Sequence, residues 1–441
     1  MKSVALGIEE PTPRGIAAGI ARLITSGDLA PGDRLPTVRA LAAELGVSPA
    51  TVSHAWQTLA AAGLIVTRGR SGSTVRSAPR EWLPLRYRDL EGESDARLDL
   101  SRGTPDPALL PRIALDRVSA VTEAESYQRK PDIPQLHDLL RTSWPSPVES
   151  ITVTNGALDA IDRALATLVR FGDRVVIESP TFPPFIDLLE QYGLQGVPVS
   201  LDSEGMRPQE FSAALNSAPR IVLLQPRAHN PTGVSMTPAR AHNLAGLLRR
   251  SRVAQQAIVV EDDHSGAIST SPDVSLATWL PERVLHVRSF SKTHGPDLRI
   301  GALGGSRELV DRIVARRLLG PGWTSRMMQA ILHDLLTDDA SVRTVQDARD
   351  AYAARQRAFR EAIETHGVHL NHGDGLNAWL PVGDERAAMV SLAAAGIRVA
   401  PGAPFQLGTG APHVRVTVGL VHSDTDEIAA AIATASRAGA G

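Results

Sequence analysis

The chain has 441 residues, 43% of them hydrophobic, and its 46 lysines and arginines against 48 acids give a formal net charge of -2. This is enough apolar sequence for more than one buried core, and the lack of any cysteine excludes disulfides, thiolate catalysis and cysteine zinc sites, as a reducing cytoplasm would favour. No basic-then-apolar leader opens the chain and no apolar run approaches membrane-spanning length, so a cytoplasmic protein without membrane contact is expected.

Charge is unevenly spread. Residues 1–80 hold nine lysines and arginines against five acids, whereas the other 37 bases meet 43 acids. A small basic module on an acidic body points to a polyanion partner. Within it, Ile16, Ile20, Leu23 and Ile24 share one helical face that ends in the turn at 27–33. Val38, Leu41, Ala42 and Leu45 predict a second helix, and Gly46-Val47 a tight turn. Ser48 then serves as N-cap before Pro49, opening a third helix with Val52, Trp56 and Leu59 inward. Two helices joined by a short glycine turn make a helix-turn-helix.

Residues 64–66 and 73–75 read as two short strands around a basic tip, or wing, carrying Arg68 and Arg70. The third helix offers Ser48, Ala50, Thr51, Ser53, His54 and Gln57 to the major groove of double-stranded DNA. Arg39, Arg68 and Arg70 would meet phosphates or the minor groove. With Pro31-Gly32, Leu35-Pro36, Arg39, Leu41-Ala42 and Thr51-Val52 in place, this stretch resembles the winged helix-turn-helix of the GntR family. The arginine that family often has early in its recognition helix is missing from Ser48-Pro49-Ala50, which leaves base readout to His54 and Gln57.

Residues 77–97 show no steady periodicity and read as a linker, anchored by Trp82, Leu83, Leu85 and Tyr87. Beyond them, strand-like runs at 150–153, 174–178, 220–225, 257–261 and 283–287 alternate with helical stretches such as 158–169 and 239–249. That alternation predicts an α/β fold, a mostly parallel sheet with helices on both faces and its ligand site at the strand ends. From about residue 340 a long helix and short strands predict a smaller α+β subdomain. The expected organisation is a DNA-binding module at 1–76, a linker at 77–97 and a body at 98–441.

Lys292 sits just past the run 283–287, with Ser289 and Ser291 before it and Arg299 after it. A lysine amine joins aldehydes, and pyridoxal 5'-phosphate (PLP) is the biological aldehyde that needs a covalent anchor, phosphate ligands and an acid at its ring nitrogen. Ser289, Ser291 and Arg299 suit the phosphate. Asp262, just past the run 257–261, suits the ring nitrogen.

These residues resemble the fold-type I aminotransferases over roughly 98–435, with the motifs in that family's order. Thr154-Asn155-Gly156-Ala157-Leu158 looks like the glycine turn that cradles the phosphate. Glu178-Ser179-Pro180-Thr181-Phe182 is similar to the segment that lays an aromatic ring, here Phe182, on the pyridine. In His229-Asn230-Pro231-Thr232-Gly233, Asn230 matches the contact to the ring's phenolic oxygen. Arg415 matches the arginine that grips a substrate carboxylate in a fork. Tyr127 resembles the tyrosine that reaches the phosphate of the neighbouring subunit's cofactor. His264 stands where a tyrosine is common, and an imidazole titrating near neutral is expected there to bond the phenolic oxygen.

The two modules in this order resemble the MocR subgroup of GntR regulators across nearly the whole chain. The resemblance implies PLP held by Lys292 and a head-to-tail homodimer with each winged helix reaching over the partner's body. It also implies operator DNA controlled by PLP itself, or by a small amine or amino-acid effector that forms an external aldimine and is anchored by Arg415. The alternative is a working aminotransferase with an accessory DNA-binding domain, Lys292 serving as proton shuttle.

Overall fold

The computed structural model describes residues 4–8, 10–61, 64–67, 72–76, 84, 86–87, 96–113 and 131–438. Arg68, Arg70, Trp82, Leu83, Leu85 and Tyr127, named above, lie outside them.

The N-terminal module has helices α1 (Pro13–Thr25), α2 (Val38–Leu45) and α3 (Pro49–Ala61), then strands β1 (Ile65–Thr67) and β2 (Ser73–Val75). Thr12 and Thr37 cap the first two helices through their hydroxyls, and Gly46, in the left-handed region at φ 66°, turns the chain from α2 towards α3. Apolar residues at helical spacing, among them Ile16, Ile20, Leu41, Val52, Trp56 and Leu59, form one core. The antiparallel β1/β2 pair sets Ile65 opposite Val75 and closes that core from one side.

The body opens with β3 (Leu98–Asp99), α4 (Pro134–Thr142), β4 (Ser150–Thr154), α5 (Ala157–Leu168), β5 (Arg174–Ser179) and α6 (Pro183–Gln191). It continues through β6 (Gln195–Asp202), β7 (Gly205–Met206), α7 (Pro208–Leu215), β8 (Ile221–Leu224), α8 (Pro238–Arg250) and β9 (Ile258–Asp263). Then come β10 (Val284–Ser289), the one-turn α9 (Ser291–His294), β11 (Gly301–Gly305), α10 (Arg307–Leu318) and α11 (Arg326–Thr337). The sheet runs β4-β11-β10-β9-β8-β5-β6-β7, and its centre from β10 to β6 is parallel.

Central strands are apolar on both faces, as a sheet covered on both sides requires. In β5, Val176 packs against the α7/α8 layer while Val175 and Ile177 pack against α5 and α6, following the two-residue period of a strand. Residues beyond the strands' carboxyl ends therefore converge on one edge, which is where the site lies.

The smaller subdomain contains α12 (Asp339–Thr365), β12 (Ala378–Pro381), α13 (Glu385–Ala394), β13 (Ile397–Arg398), β14 (Ala400–Pro401), β15 (His413–Val416) and α14 (Thr425–Ser436). Its sheet order is β12-β15-β14. The start of the body also folds with this subdomain, because β3 pairs in parallel with β13 and Leu100 enters the same apolar core as Ile397, Val399 and Val416. A boundary drawn near residue 340 alone misses that exchange, since strand pairing over so long a loop leaves no local signal. Among the described residues no helix is long and apolar enough to cross a membrane.

Candidate functional site

A cavity of about 370 Å³ lies at the carboxyl edge of the sheet, within the usual range for small-ligand sites. Lys292, Asp262, Asn230, Phe182, His264 and Arg415 all line it. So do Ala157, Leu158, Ser289, Ser291 and Arg299, the residues expected around a phosphate. Gly156 lies beneath Arg299: a Cβ added there would stand 2.9 Å from Arg299 Nη2.

Asp262 and Ser289 lie at strand ends and Ala157 and Ser291 begin helices, whereas Asn230 lies in the loop after β8 and Arg415 within β15. Asp262 lies within the parallel β9/β10 pair opposite Val287, five residues before Lys292, so the acid and the amine reach one cavity from adjacent strands. Lys292 Nζ donates to the Gly103 carbonyl. Burial, reinforced by the positive charge of Arg415, pushes its pKa down to about 8. That keeps an appreciable neutral, nucleophilic fraction near neutrality.

Asp262 is buried, and burial pushes its pKa up to about 7. Gln225 Nε2 donates to its Oδ2 at 2.8 Å, while Oδ1 is buried with no partner. Gln225 Oε1 in turn accepts from the Asn230 backbone amide at 2.9 Å. One glutamine thus fixes both the acid and the Asn-Pro loop. Its position at the end of the strand-like run 220–225 is the signal in the sequence that points to it.

Arg415 is fully buried, which lowers its pKa to about 10. Its Nη1 lies 3.3 Å from Asn230 Oδ1, its Nη2 donates to the Ser101 carbonyl, and its guanidinium sits over the Phe405 ring at 5.0 Å. Both arms of the fork are therefore engaged by the chain's own oxygens. Phe182 caps α6 and meets Phe185 edge-on at 5.4 Å.

His264 departs from expectation. Its Nε2 lies 3.0 Å from the Ala228 carbonyl, and burial together with the Lys292 charge pushes its pKa down to about 4 rather than leaving it near neutral. The imidazole is consequently neutral at physiological pH. With Nε2 donating to the backbone, its other nitrogen is an acceptor.

At the phosphate end, Gly156 precedes α5 as its N-cap with φ 97°, and Ala157 and Leu158 of the helix's first turn, where backbone amides have no partner within the helix, line the cavity. Arg299 adopts a left-handed backbone at φ 50° that turns its guanidinium over this start. The Ser289 hydroxyl accepts from the Ser291 amide at 3.3 Å.

These features fit PLP. An unpartnered buried carboxylate oxygen calls for a charged ring N–H, the α5 start and Arg299 suit a dianion, and Asn230 keeps its amide nitrogen to donate. Tyr87, from the linker, also lines the cavity, and nothing in its sequence neighbourhood marks it for that role.

On the DNA-binding module, Ala50, His54 and Gln57 are exposed on α3 and Arg39 is exposed on α2, while Thr51 and Ser53 are half-buried. The Ser48 hydroxyl accepts from the Thr51 amide at 3.2 Å and lies 2.9 Å from its hydroxyl, which occupies Thr51 in capping.

Comparison with known proteins finds two families along the chain. The family Aminotransferase class I and II matches residues 126–432, and the family Bacterial regulatory proteins, gntR family, matches residues 12–75. The chain is 35% identical to the vitamin B6 salvage pathway transcriptional repressor PtsJ of Salmonella typhimurium, over 96% of this chain and 98% of the relative. It is 28% identical to the HTH-type pyridoxine biosynthesis transcriptional regulator PdxR of Corynebacterium glutamicum, over 92% of each. In fold it is similar to the multiple substrate aminotransferase of Thermococcus profundus, with a TM-score of 0.70 at 21% identity over 81% of this chain and 95% of that one. The chain belongs to the aminotransferase class I and II family, joined to a gntR-family DNA-binding module in the arrangement of the MocR regulators.

Proposed function

We infer that this chain is a PLP-binding transcriptional regulator in which occupancy of the cavity around Lys292 controls how the N-terminal module binds operator DNA. The observation that carries this reading is the pairing, in one chain, of an exposed helix-turn-helix reading face with a cavity whose buried Asp262 Oδ1 lacks a partner. When bound, PLP supplies an aldehyde carbon that an amine joins reversibly and a ring that withdraws electrons from it. The chain's own residues do the rest. Lys292 provides the amine, Asp262 holds a proton at the ring nitrogen with Gln225 keeping it in place, and Asn230 orients the ring under Phe182. The α5 amides, Ser289, Ser291 and Arg299 bind the phosphate.

PLP itself is the favoured effector. Arg415, the residue that would anchor an amine's carboxylate, already donates to Asn230 and Ser101. The relatives are likewise named as regulators of vitamin B6 salvage and pyridoxine biosynthesis. In the second reading a small amine or amino acid displaces those contacts from Arg415 and takes over from Lys292. The regulator acts as a homodimer, head to tail, on paired half-sites.

The test is the visible absorption spectrum of the chain with PLP beside that of Lys292→Ala, run with operator binding by fluorescence anisotropy. A band near the visible edge lost in the variant, with operator affinity changed by PLP alone, supports the reading. An affinity change that requires an added amine turns the reading to amine sensing. Steady turnover of an amino acid with a keto acid makes the chain an enzyme instead.

A further inference from the structure

A second cleft, of about 350 Å³, opens between the larger part of the body and the smaller subdomain, and no residue lines both it and the cavity around Lys292. The larger part contributes Ser179, three residues before Phe182, and Thr232, two residues after Asn230. The cleft thus touches the two loops that carry cavity residues. The smaller subdomain contributes Arg360 of α12, Asn371, Trp379 of β12 and His413 of β15.

The Trp379 and His413 rings are stacked, with centroids 4.8 Å apart and planes inclined by 6°. Gly402 makes room for them, because a Cβ there would collide with the His413 carbonyl and stand 3.0 Å from the Trp379 ring. A flat aromatic wall results. Burial holds the His413 imidazole below its usual pKa, and its Nδ1 lies 2.9 Å from the Ala411 carbonyl, so the wall is uncharged near neutrality.

The charge in the cleft comes from Arg360. It is half-buried, and among the described residues it has neither an ion pair nor a hydrogen bond to the chain. Asp202, which also lines the cleft, is no partner for it, since its two oxygens accept from Arg240 at 2.9 and 3.0 Å. An unengaged guanidinium beside a flat wall suits a ring that carries an anion. One arginine balances one negative charge, which favours a carboxylate over a phosphate dianion.

The wall is also linked to the first cavity by packed rings. Trp379 lies opposite Arg415 in the β12/β15 register. The Phe405 ring meets Trp379 at 5.5 Å and lies 5.0 Å from the Arg415 guanidinium. The Phe405 carbonyl accepts from the Thr181 amide at 2.8 Å, next to Phe182. A displacement of the Trp379 ring therefore reaches the Arg415 fork and the Phe182 segment, because close-packed interiors transmit it.

We propose that this cleft is a second ligand site, for a small planar aromatic carboxylate whose ring lies on the Trp379/His413 pair and whose anion is held by Arg360. Its occupancy changes PLP binding through Phe405 and Arg415, a half of the proposal that rests on the reading that PLP occupies the first cavity.

The probe is para-fluorobenzoate, followed by fluorine NMR line broadening on the full-length chain. Cyclohexanecarboxylate, which keeps only the charge, and benzamide, which keeps only the flat ring, serve as competitors, and neither should displace the probe at equal concentration. Binding is expected to weaken about tenfold or more in Arg360→Gln, at an unchanged melting temperature, and likewise in Trp379→Leu. Should Trp379→Leu fail to fold, Arg360→Gln decides alone. Saturating para-fluorobenzoate should shift the PLP affinity of the wild-type chain about fivefold and leave that of Arg360→Gln unmoved. No line broadening, or broadening that persists in Arg360→Gln, overturns the site. An unmoved PLP affinity with the probe bound overturns the coupling alone. A chain that binds the probe but never gains the visible PLP band upholds the second site and overturns the cofactor reading, and the coupling with it.

Discussion

Gln225 Nε2 donates 2.8 Å to Asp262 Oδ2, and the other oxygen of the same buried carboxylate is left without a partner. A buried charged acceptor without a donor is costly, and on the proposed reading the ring nitrogen of PLP supplies that donor. Gln225 also receives the Asn230 amide, so the glutamine couples the acid to the Asn-Pro loop. Gln225→Ala is expected to weaken PLP binding by roughly tenfold to a hundredfold, the scale of one hydrogen bond to a charged group. Fluorescence titration of the apo chain measures it. Wild-type affinity in Gln225→Ala would remove the glutamine from the site.

The lowered pKa of Lys292, about 8, sets the pH dependence of PLP capture. The neutral amine is the nucleophile, so below that value the rate should rise about tenfold per pH unit, and above it the rate should level off. An ordinary lysine would keep accelerating to about pH 10. Stopped-flow absorbance across pH 6–10 distinguishes the two profiles.

Gly156 combines φ 97° and ψ 167°, a backbone region closed to side chains, with Arg299 2.9 Å from any added Cβ. Gly156→Ala should therefore cost about 1–3 kcal/mol of stability. PLP affinity should fall as well, because the helix start and the guanidinium both move. Thermal melting and PLP titration report the two effects separately, and an unchanged melting temperature would contradict the backbone argument.

On the proposed reading, base readers and phosphate contacts of the DNA-binding module are different residues. His54→Ala and Gln57→Ala, on the exposed face of α3, should each relax preference at one or two operator positions and cost about 1–3 kcal/mol. Arg39→Ala should weaken binding to all duplexes alike and reduce the slope of log affinity against log salt by about one. Anisotropy titrations at several salt concentrations, with matched and scrambled duplexes, test the assignment.

Much of this was legible in the chain itself. Thr12, Thr37, Gly46 and the inward stripe of Ile16, Leu41, Val52 and Trp56 are local signals, because capping and helical spacing act within a few residues. Lys292, Asp262, Asn230 and Phe182 were likewise readable, since each follows a strand-like run and such sheets gather their ligands at strand ends. The sequence by itself thus determined the two modules, the order of the motifs and the residue types at the site. Only the tertiary structure decided the state of those residues. Burial holds His264 neutral, and the fork of Arg415 is taken by Asn230 and Ser101, which lie 185 and 314 residues away along the chain. Tyr87 reaches the cavity by the same kind of long-range packing. Desolvation and contacts between distant segments depend on how the whole chain encloses a group, and no local pattern encodes that enclosure.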